Sequence, residues 1–400
     1  MAIENPAGVR QAAAMIHLDA NASTPLRTEV LEAMLPWLRD GFANPSGTYA
    51  AAKLARQAIE QARAQVAQWL GAQPEEIVFT SGGTESVNTA LHALDVQAGP
   101  GPALVSAIEH SAVLRYAEAL PRGVRLAPVN AGGRLELAAF AENLAGAAFV
   151  SVMAANNETG VIQPLREVCA MAREQGLAVH TDAVQVMGKL PLQVCELGVD
   201  MLSLSAHKFH GPKGVGALYV RSGLRFSPLL LGGGQEGGRR SGTENTAGIV
   251  GMGVAASIMC QQAALDNHAA LRLLRDAFEA KLLDELAGVT VNGDLPHRLP
   301  NTSHLSFDGC DAAGLLILLD EAGIACSAGS ACMSGQQRPS HVQMAMGMDG
   351  TRAKSSLRFS FSTLNTMDEA LAAAVMVKRA VEKLRRVQGP GVGPVQVYCV

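Results

Sequence analysis

A chain of 400 residues, 48% of them apolar, has enough material for a large domain and a smaller one, each with its own core. A net charge of −4 with 17% charged residues leaves no basic footprint for nucleic acid, and 4% aromatics offer few surfaces for base stacking. Seven cysteines, scattered, odd in number and without a C-x-x-C pair, point to free thiols in a reducing compartment, with no disulfide framework and no metal site.

In chain order, residues 1–15 carry an early acid and no apolar core segment, so they read as a loose extension without a secretory or transit signal, and the cytoplasm is the expected location. Strand-like runs at 76–80, 103–107, 148–153, 177–181, 200–205 and 215–220 alternate with helical patterns or turns, which predicts an α/β domain over 16–265, its first residues open to packing with the smaller domain, and a mainly parallel sheet covered on both faces. The stretch from Asn245 to Leu265 lacks charge and is long enough to cross a bilayer. It also holds Asn245, Thr246, Ser257, Gln261, Gln262 and three glycines, so a buried helix is the better reading and no membrane contact is expected. Leu271, Leu274, Phe278, Leu282 and Leu286 then share one helical stripe leading into a smaller α+β domain, 266–388. There strands are expected near 289–292, 302–307 and 355–361, with helices at 311–322 and 367–386. Residues 389–400 read as a flexible tail.

Several of these elements deliver chemistry at their ends. Phe79-Thr-Ser-Gly-Gly-Thr-Glu-Ser86 is a strand, a glycine turn and a helix start, which aims free N–H groups around Gly83 and the Thr84 hydroxyl at an anion. Leu177 to Gln185 reads as a buried strand delivering Asp182 and Gln185 to its carboxyl edge; a turn-forming aspartate is the ordinary alternative. Ser203-Leu-Ser-Ala-His-Lys-Phe-His-Gly-Pro-Lys-Gly214 places Lys208 at the end of an apolar strand. A lysine in a dry pocket loses its proton and can attack an aldehyde, such as that of pyridoxal phosphate; a surface lysine in a turn is the bland alternative. Arg358, in the alternating Ser-Ser-Leu-Arg-Phe-Ser, offers a guanidinium fork suited to an α-carboxylate. Cys332 lies in a glycine- and serine-rich segment without apolar periodicity, which suggests an exposed, mobile loop. Cys326 reads as a small buried cysteine at a strand end, and Cys399 as an unpaired thiol in the tail.

Together with Glu109-His-Ser-Ala-Val113, Asn156-Asn-Glu-Thr-Gly160, Arg240-Ser-Gly-Thr-Glu-Asn245 and Gly329-Ser-Ala-Cys332, these motifs give the chain, from about Ile16 to about Lys383, a resemblance to the cysteine desulfurases of the class V aminotransferase group. The resemblance implies the aspartate-aminotransferase-like fold (pyridoxal-phosphate fold type I), with a mainly parallel seven-stranded sheet and a homodimeric assembly. It implies that Lys208 carries the pyridoxal 5'-phosphate, Asp182 pairs with its ring nitrogen, Gln185 bonds its phenolic oxygen and His110 stacks on the ring. Asn157 would support ring and substrate, while Gly83, Thr84, Ser205 and His207 would hold the phosphate, joined by Thr243 from the other subunit. Arg358 would clamp the substrate carboxylate. Cys332 would take sulfur from L-cysteine as a persulfide, leaving L-alanine, with His110 as the candidate base or cation to activate its thiol; a cap-proximal histidine before a helix is the ordinary alternative for His110. Selenocysteine lyase, or another lyase or aminotransferase of the same fold, is the alternative.

The spacing from Cys332 to Arg358 fits the long-loop desulfurases, which implies delivery to a sulfur-acceptor or iron–sulfur scaffold protein, or to thio-cofactor or tRNA biosynthesis. Gly47-Thr48-Tyr49 after Asn44-Pro45-Ser46 replaces a segment in which many relatives carry histidine, and Met333 follows the nucleophile where threonine or serine is common.

Overall fold

The computed structural model describes residues 15–264, 267–328 and 339–388. Its strands, in chain order, are β1 (Ile16–His17), β2 (Ile77–Thr80), β3 (Ala103–Ser106), β4 (Val124–Ala127), β5 (Phe149–Ser151), β6 (Val179–Asp182), β7 (Met201–Ser205), β8 (Gly216–Val220), β9 (Val289–Val291), β10 (Thr302–Phe307), β11 (Ile324–Ala325), β12 (Ser327–Ala328) and β13 (Ser356–Ser360).

The seven-stranded, mainly parallel sheet expected from the sequence is present, in the order β2-β8-β7-β6-β5-β3-β4, with β8 antiparallel to both its neighbours. Most of its strands are buried along their whole length, as the continuous apolar character of Ile77–Phe79 and Ala103–Val105 requires of a sheet covered on both faces. One face packs on the helices Ala50–Leu70 and Thr246–Ala264 through Ile59, Val66, Met252 and Met259. The other carries Gly83–Gln97, with Val87, Leu91 and Leu94 in a separate core. The sequence reading put no strand at β4. Val-Arg-Leu-Ala forms an edge strand there, with Leu126 52% exposed, so its apolar signal is diluted where only one neighbour pairs with it.

The uncharged segment is a helix, Thr246–Ala264, buried through Ile249, Met252, Ala255, Ala256 and Met259. Among the described residues no helix is long and apolar enough to cross a membrane.

A second sheet, β12-β13-β10-β9, is antiparallel and packs its own core, Phe278, Leu282, Phe307, Leu315, Phe359 and Val381, against the helices Asn267–Glu285, Ala312–Glu321 and Met367–Gln388. The stripe of Leu271, Leu274, Phe278, Leu282 and Leu286 faces this core. The N-terminal β1 belongs here too: it pairs in parallel with β11, Leu18 is buried with Leu305 and Phe359, and Asp19 bridges to Ser360.

One buried ion pair aims the edge strand of the large sheet at the site. Glu236, at φ 52°, takes two hydrogen bonds from Arg63 (2.7 and 2.8 Å) and one from the backbone N–H of Phe79 (2.9 Å), just before the glycine turn. Replacing Glu236 with alanine leaves the Arg63 charge and the Phe79 N–H poorly satisfied in the interior. A loss of about 3–5 kcal/mol is expected, measured as a lower midpoint in urea unfolding.

Candidate active site

Parallel strands end on one edge of the sheet, and there the chain builds a cavity of about 350 Å³. Its lining includes Asn21, Gly83, Thr84, His110, Asn157, Asp182, Gln185, Ser205, His207, Lys208, Ser327 and Arg358. Ten of the residues singled out in the sequence thus converge on one space. Of the other two, only Thr243 is among the described residues, and it is not in the lining. Thr243 is exposed, and Cys332 lies outside the described residues, as do Met333 and Cys399.

At the mouth of β2, Gly82 and Gly83 turn the chain into the helix Gly83–Gln97, whose first N–H groups have no intrahelical acceptor. The turn lies so close to β8 that a Cβ on Gly216 would meet the Gly82 carbonyl carbon at 2.7 Å. Ser205 ends β7, and a single 3-10 turn, Ala206–Lys208, carries His207 and Lys208 into the cavity. His207 Nδ1 lies 3.2 Å from the Ser23 hydroxyl, and burial, with Lys208 and Lys213 nearby, pulls its pKa down to about 4. It is therefore a neutral polar ligand at physiological pH.

The Lys208 amine donates to the backbone carbonyls of Asn21 (2.6 Å) and Ala22 (2.8 Å). Burial and then the Arg358 cation lower its pKa to about 8, against the pull of Asp182 and Asp19. Asp182 is at once the turn former and the cavity carboxylate: its Oδ1 accepts the Val184 N–H at 2.9 Å, while burial raises its pKa. A buried carboxylate raised in this way gains from a cation, and a protonated ring nitrogen is one. His110 combines both of its sequence readings. It caps the helix Ser111–Ala119, with Nδ1 accepting from Ala112 N–H at 3.1 Å, and it lines the cavity. Burial lowers its pKa, so the neutral ring carries its proton on Nε2. In this tautomer Nε2 offers a hydrogen-bond donor.

Arg358 reaches in from β13. Nη2 bonds Asp19 Oδ1 at 2.5 Å, Nη1 bonds the carbonyl of Asn157 at 2.9 Å, and buried Nε has no partner among the described residues. Asn156 is a turn residue: its side-chain oxygen accepts from Glu158 and Thr159 N–H, leaving Asn157 at the cavity. Glu158 in turn accepts from Ser340 Oγ at 2.6 Å. Cys326 is half-buried, and desolvation pushes its thiol pKa up to about 12, so it stays protonated.

Sequence reasoning missed Asn21. Its backbone oxygen also receives Gln185 Nε2 (2.9 Å), and its side-chain oxygen receives Lys189 Nζ (2.8 Å). The run Asp19-Ala-Asn-Ala-Ser-Thr24, small and polar after an apolar start, was the available signal.

The pattern of the class V aminotransferases (Aminotransferase class-V) matches residues 16–372. A cysteine desulfurase of Gluconacetobacter diazotrophicus is 45% identical over 377 residues, 92% of this chain and 94% of that protein. The cysteine desulfurase NifS of Azotobacter vinelandii is 43% identical over 389 residues, 95% of this chain and 96% of that one. Among solved structures, a NifS-like protein from Rickettsia africae superposes with a TM-score of 0.84 at 32% identity, covering 92% and 99% of the two chains. SspA in complex with cysteine superposes at 0.76 and 34% identity, covering 88% and 99%. The chain belongs to the class V aminotransferase family, in its cysteine desulfurase branch.

Proposed function

We propose that the protein takes sulfur from free L-cysteine with the help of pyridoxal 5'-phosphate, releases L-alanine and carries the sulfur as a persulfide on Cys332. The observation that supports it best is the meeting, in one cavity, of a lysine with lowered proton affinity, a buried carboxylate, a helix N-terminus and an arginine with an N–H unpartnered among the described residues.

These residues fit the cofactor. Lys208 would hold its aldehyde carbon, Asp182 its ring nitrogen, His110 its ring face and Gln185 its phenolic oxygen. Gly83, Thr84, Ser205 and His207 would hold its phosphate, with Thr243 of a second subunit. Bound there, the ring supplies an electron sink.

The chain's own groups do the rest. Arg358 and Asn157 fix the amino acid, the free amine of Lys208 takes the Cα proton, and Nε2–H of His110 supplies a proton. The Cys332 thiolate attacks the substrate sulfur; the S–S bond forms as the C–S bond breaks, its electron pair staying with carbon, which gains a proton to become alanine. The two sulfurs are oxidised together and the carbon is reduced, so no outside oxidant enters. In sequence Cys332 stands four residues beyond Ala328, which lines the cavity, a separation that a fully extended chain covers in at most about 14 Å.

A homodimer fits the exposure of Thr243 and of Leu31, Leu35 and Leu38 along the helix Thr28–Arg39. The recipient of the sulfur is a protein acceptor of iron–sulfur cluster or thio-cofactor assembly in the cytoplasm. The test is turnover of L-cysteine with dithiothreitol by protein loaded with the cofactor. Equimolar alanine and sulfide are expected, and pyruvate with ammonia in place of alanine would overturn the proposal.

A further inference from the structure

The turn after β6 holds a second lysine that the mechanism above does not use. Lys189 is 4% exposed, and its amine donates to two side-chain amide oxygens, Gln185 Oε1 at 2.7 Å and Asn21 Oδ1 at 2.8 Å. Neither partner is a carboxylate. Burial, with Lys208 and Arg358 as neighbouring cations, drives its proton affinity well below the ordinary lysine range, which suits a neutral amine with two hydrogens and two acceptors. A buried amine costs more than a methionine of similar volume, so its retention calls for a reason other than packing.

We infer that Lys189 is a positioning residue that fixes the direction in which Gln185 presents its amide to the cavity. Gln185 and Lys189 stand four residues apart on hydrogen-bonded turns through Ala183 and Val186, which brings their side chains together. The amine gives hydrogens, so the Gln185 oxygen must face it. The Asn21 backbone carbonyl can only accept, so the Gln185 nitrogen must face Asn21, at 2.9 Å. Both ends of the amide are thereby pinned. One of its two N–H hydrogens lies on Asn21, and the other remains for the cavity that Gln185 lines. The same amine holds Asn21, whose backbone oxygen receives Lys208 at 2.6 Å.

The inference rests on the reading that Gln185 faces the phenolic oxygen of the cofactor. Without an oriented donor that oxygen becomes more basic. Holoenzyme carrying Lys189→Met should therefore show its visible absorption titrating at higher pH by about one unit. It should also bind pyridoxal phosphate about tenfold more weakly, the effect of one lost hydrogen bond. Far-UV circular dichroism of the cofactor-free protein checks folding. If that variant does not fold, Lys189→Gln, which keeps a donor on a shorter stem, should shift the titration in the same direction.

A double-mutant cycle separates positioning from bulk structure. Lys189→Met should add nothing once Gln185 is alanine. A titration that Gln185→Ala moves and Lys189→Met leaves in place, or shifts that simply add, would overturn the inference alone. A titration unmoved by Gln185→Ala would overturn the reading of Gln185, and the role of Lys189 with it.

Discussion

With Cys332 replaced by alanine, sulfide and alanine release from L-cysteine should fall together, by a factor on the order of 10⁴–10⁶, the range seen when a nucleophilic enzyme loses its attacking or closely supporting group. The coupled loss is the diagnostic part, because no other step in the proposed route breaks the C–S bond. Cofactor binding should be unchanged, since none of the groups assigned to it comes from that segment. Mass spectrometry of the parent after L-cysteine without reductant should find an extra sulfur on the peptide bearing Cys332. The Cys326 peptide should carry none, because desolvation pushes its thiol pKa up to about 12 and keeps the thiolate scarce. Undiminished alanine and sulfide without Cys332 would move the protein to the lyases of the same fold.

Lys208→Ala should be nearly as severe, by about 10⁴-fold, because one side chain both holds the aldehyde and moves the Cα proton. The parent's capture of pyridoxal phosphate, followed by absorbance after mixing with cofactor-free protein, offers a finer reading. An ordinary lysine is protonated up to about pH 10.4. Lys208 is lowered to about 8, first by burial and then by Arg358, so capture should accelerate as pH rises through about 8 and level off above it. Arg358→Leu removes the neighbouring cation and should move that midpoint upward. A midpoint near 10 in the parent would show that the cavity does not depress the amine.

The parts of the site visible in the sequence are those made at strand ends. Asp182 ends β6, while Lys208 and Thr84 follow β7 and β2 within one turn, so local pattern and local geometry coincide, and the cavity lining follows from the order of the strands. Arg358 was legible for a similar reason: alternation along Ser-Ser-Leu-Arg-Phe-Ser fixes its face, and only its partners had to come from elsewhere. Asn21 and Lys189 were not legible. The bonds of Asn21 to Gln185 and Lys208 bridge 164 and 187 residues, and no spacing rule spans that distance. His110 was half legible, since its cap position could be read from sequence, but the tautomer depends on which nitrogen the Ala112 N–H meets. The second sheet's strands near 289, 302 and 355 were visible from alternation, whereas β4 was lost at the edge of the first.

The pairing of the first strand with late ones also carries a message about synthesis. Asn21, which supplies the backbone oxygen for Lys208, is itself held by the Ser360 hydroxyl, by Asn301 and by Thr302, and the Asp19 beside it by Arg358. A ribosome must therefore release some 360 residues before the floor of the cavity can close. A truncated chain, however well its large sheet folds, would lack that floor, so retention of the proposed cofactor would report that the polypeptide has been made to the last strand.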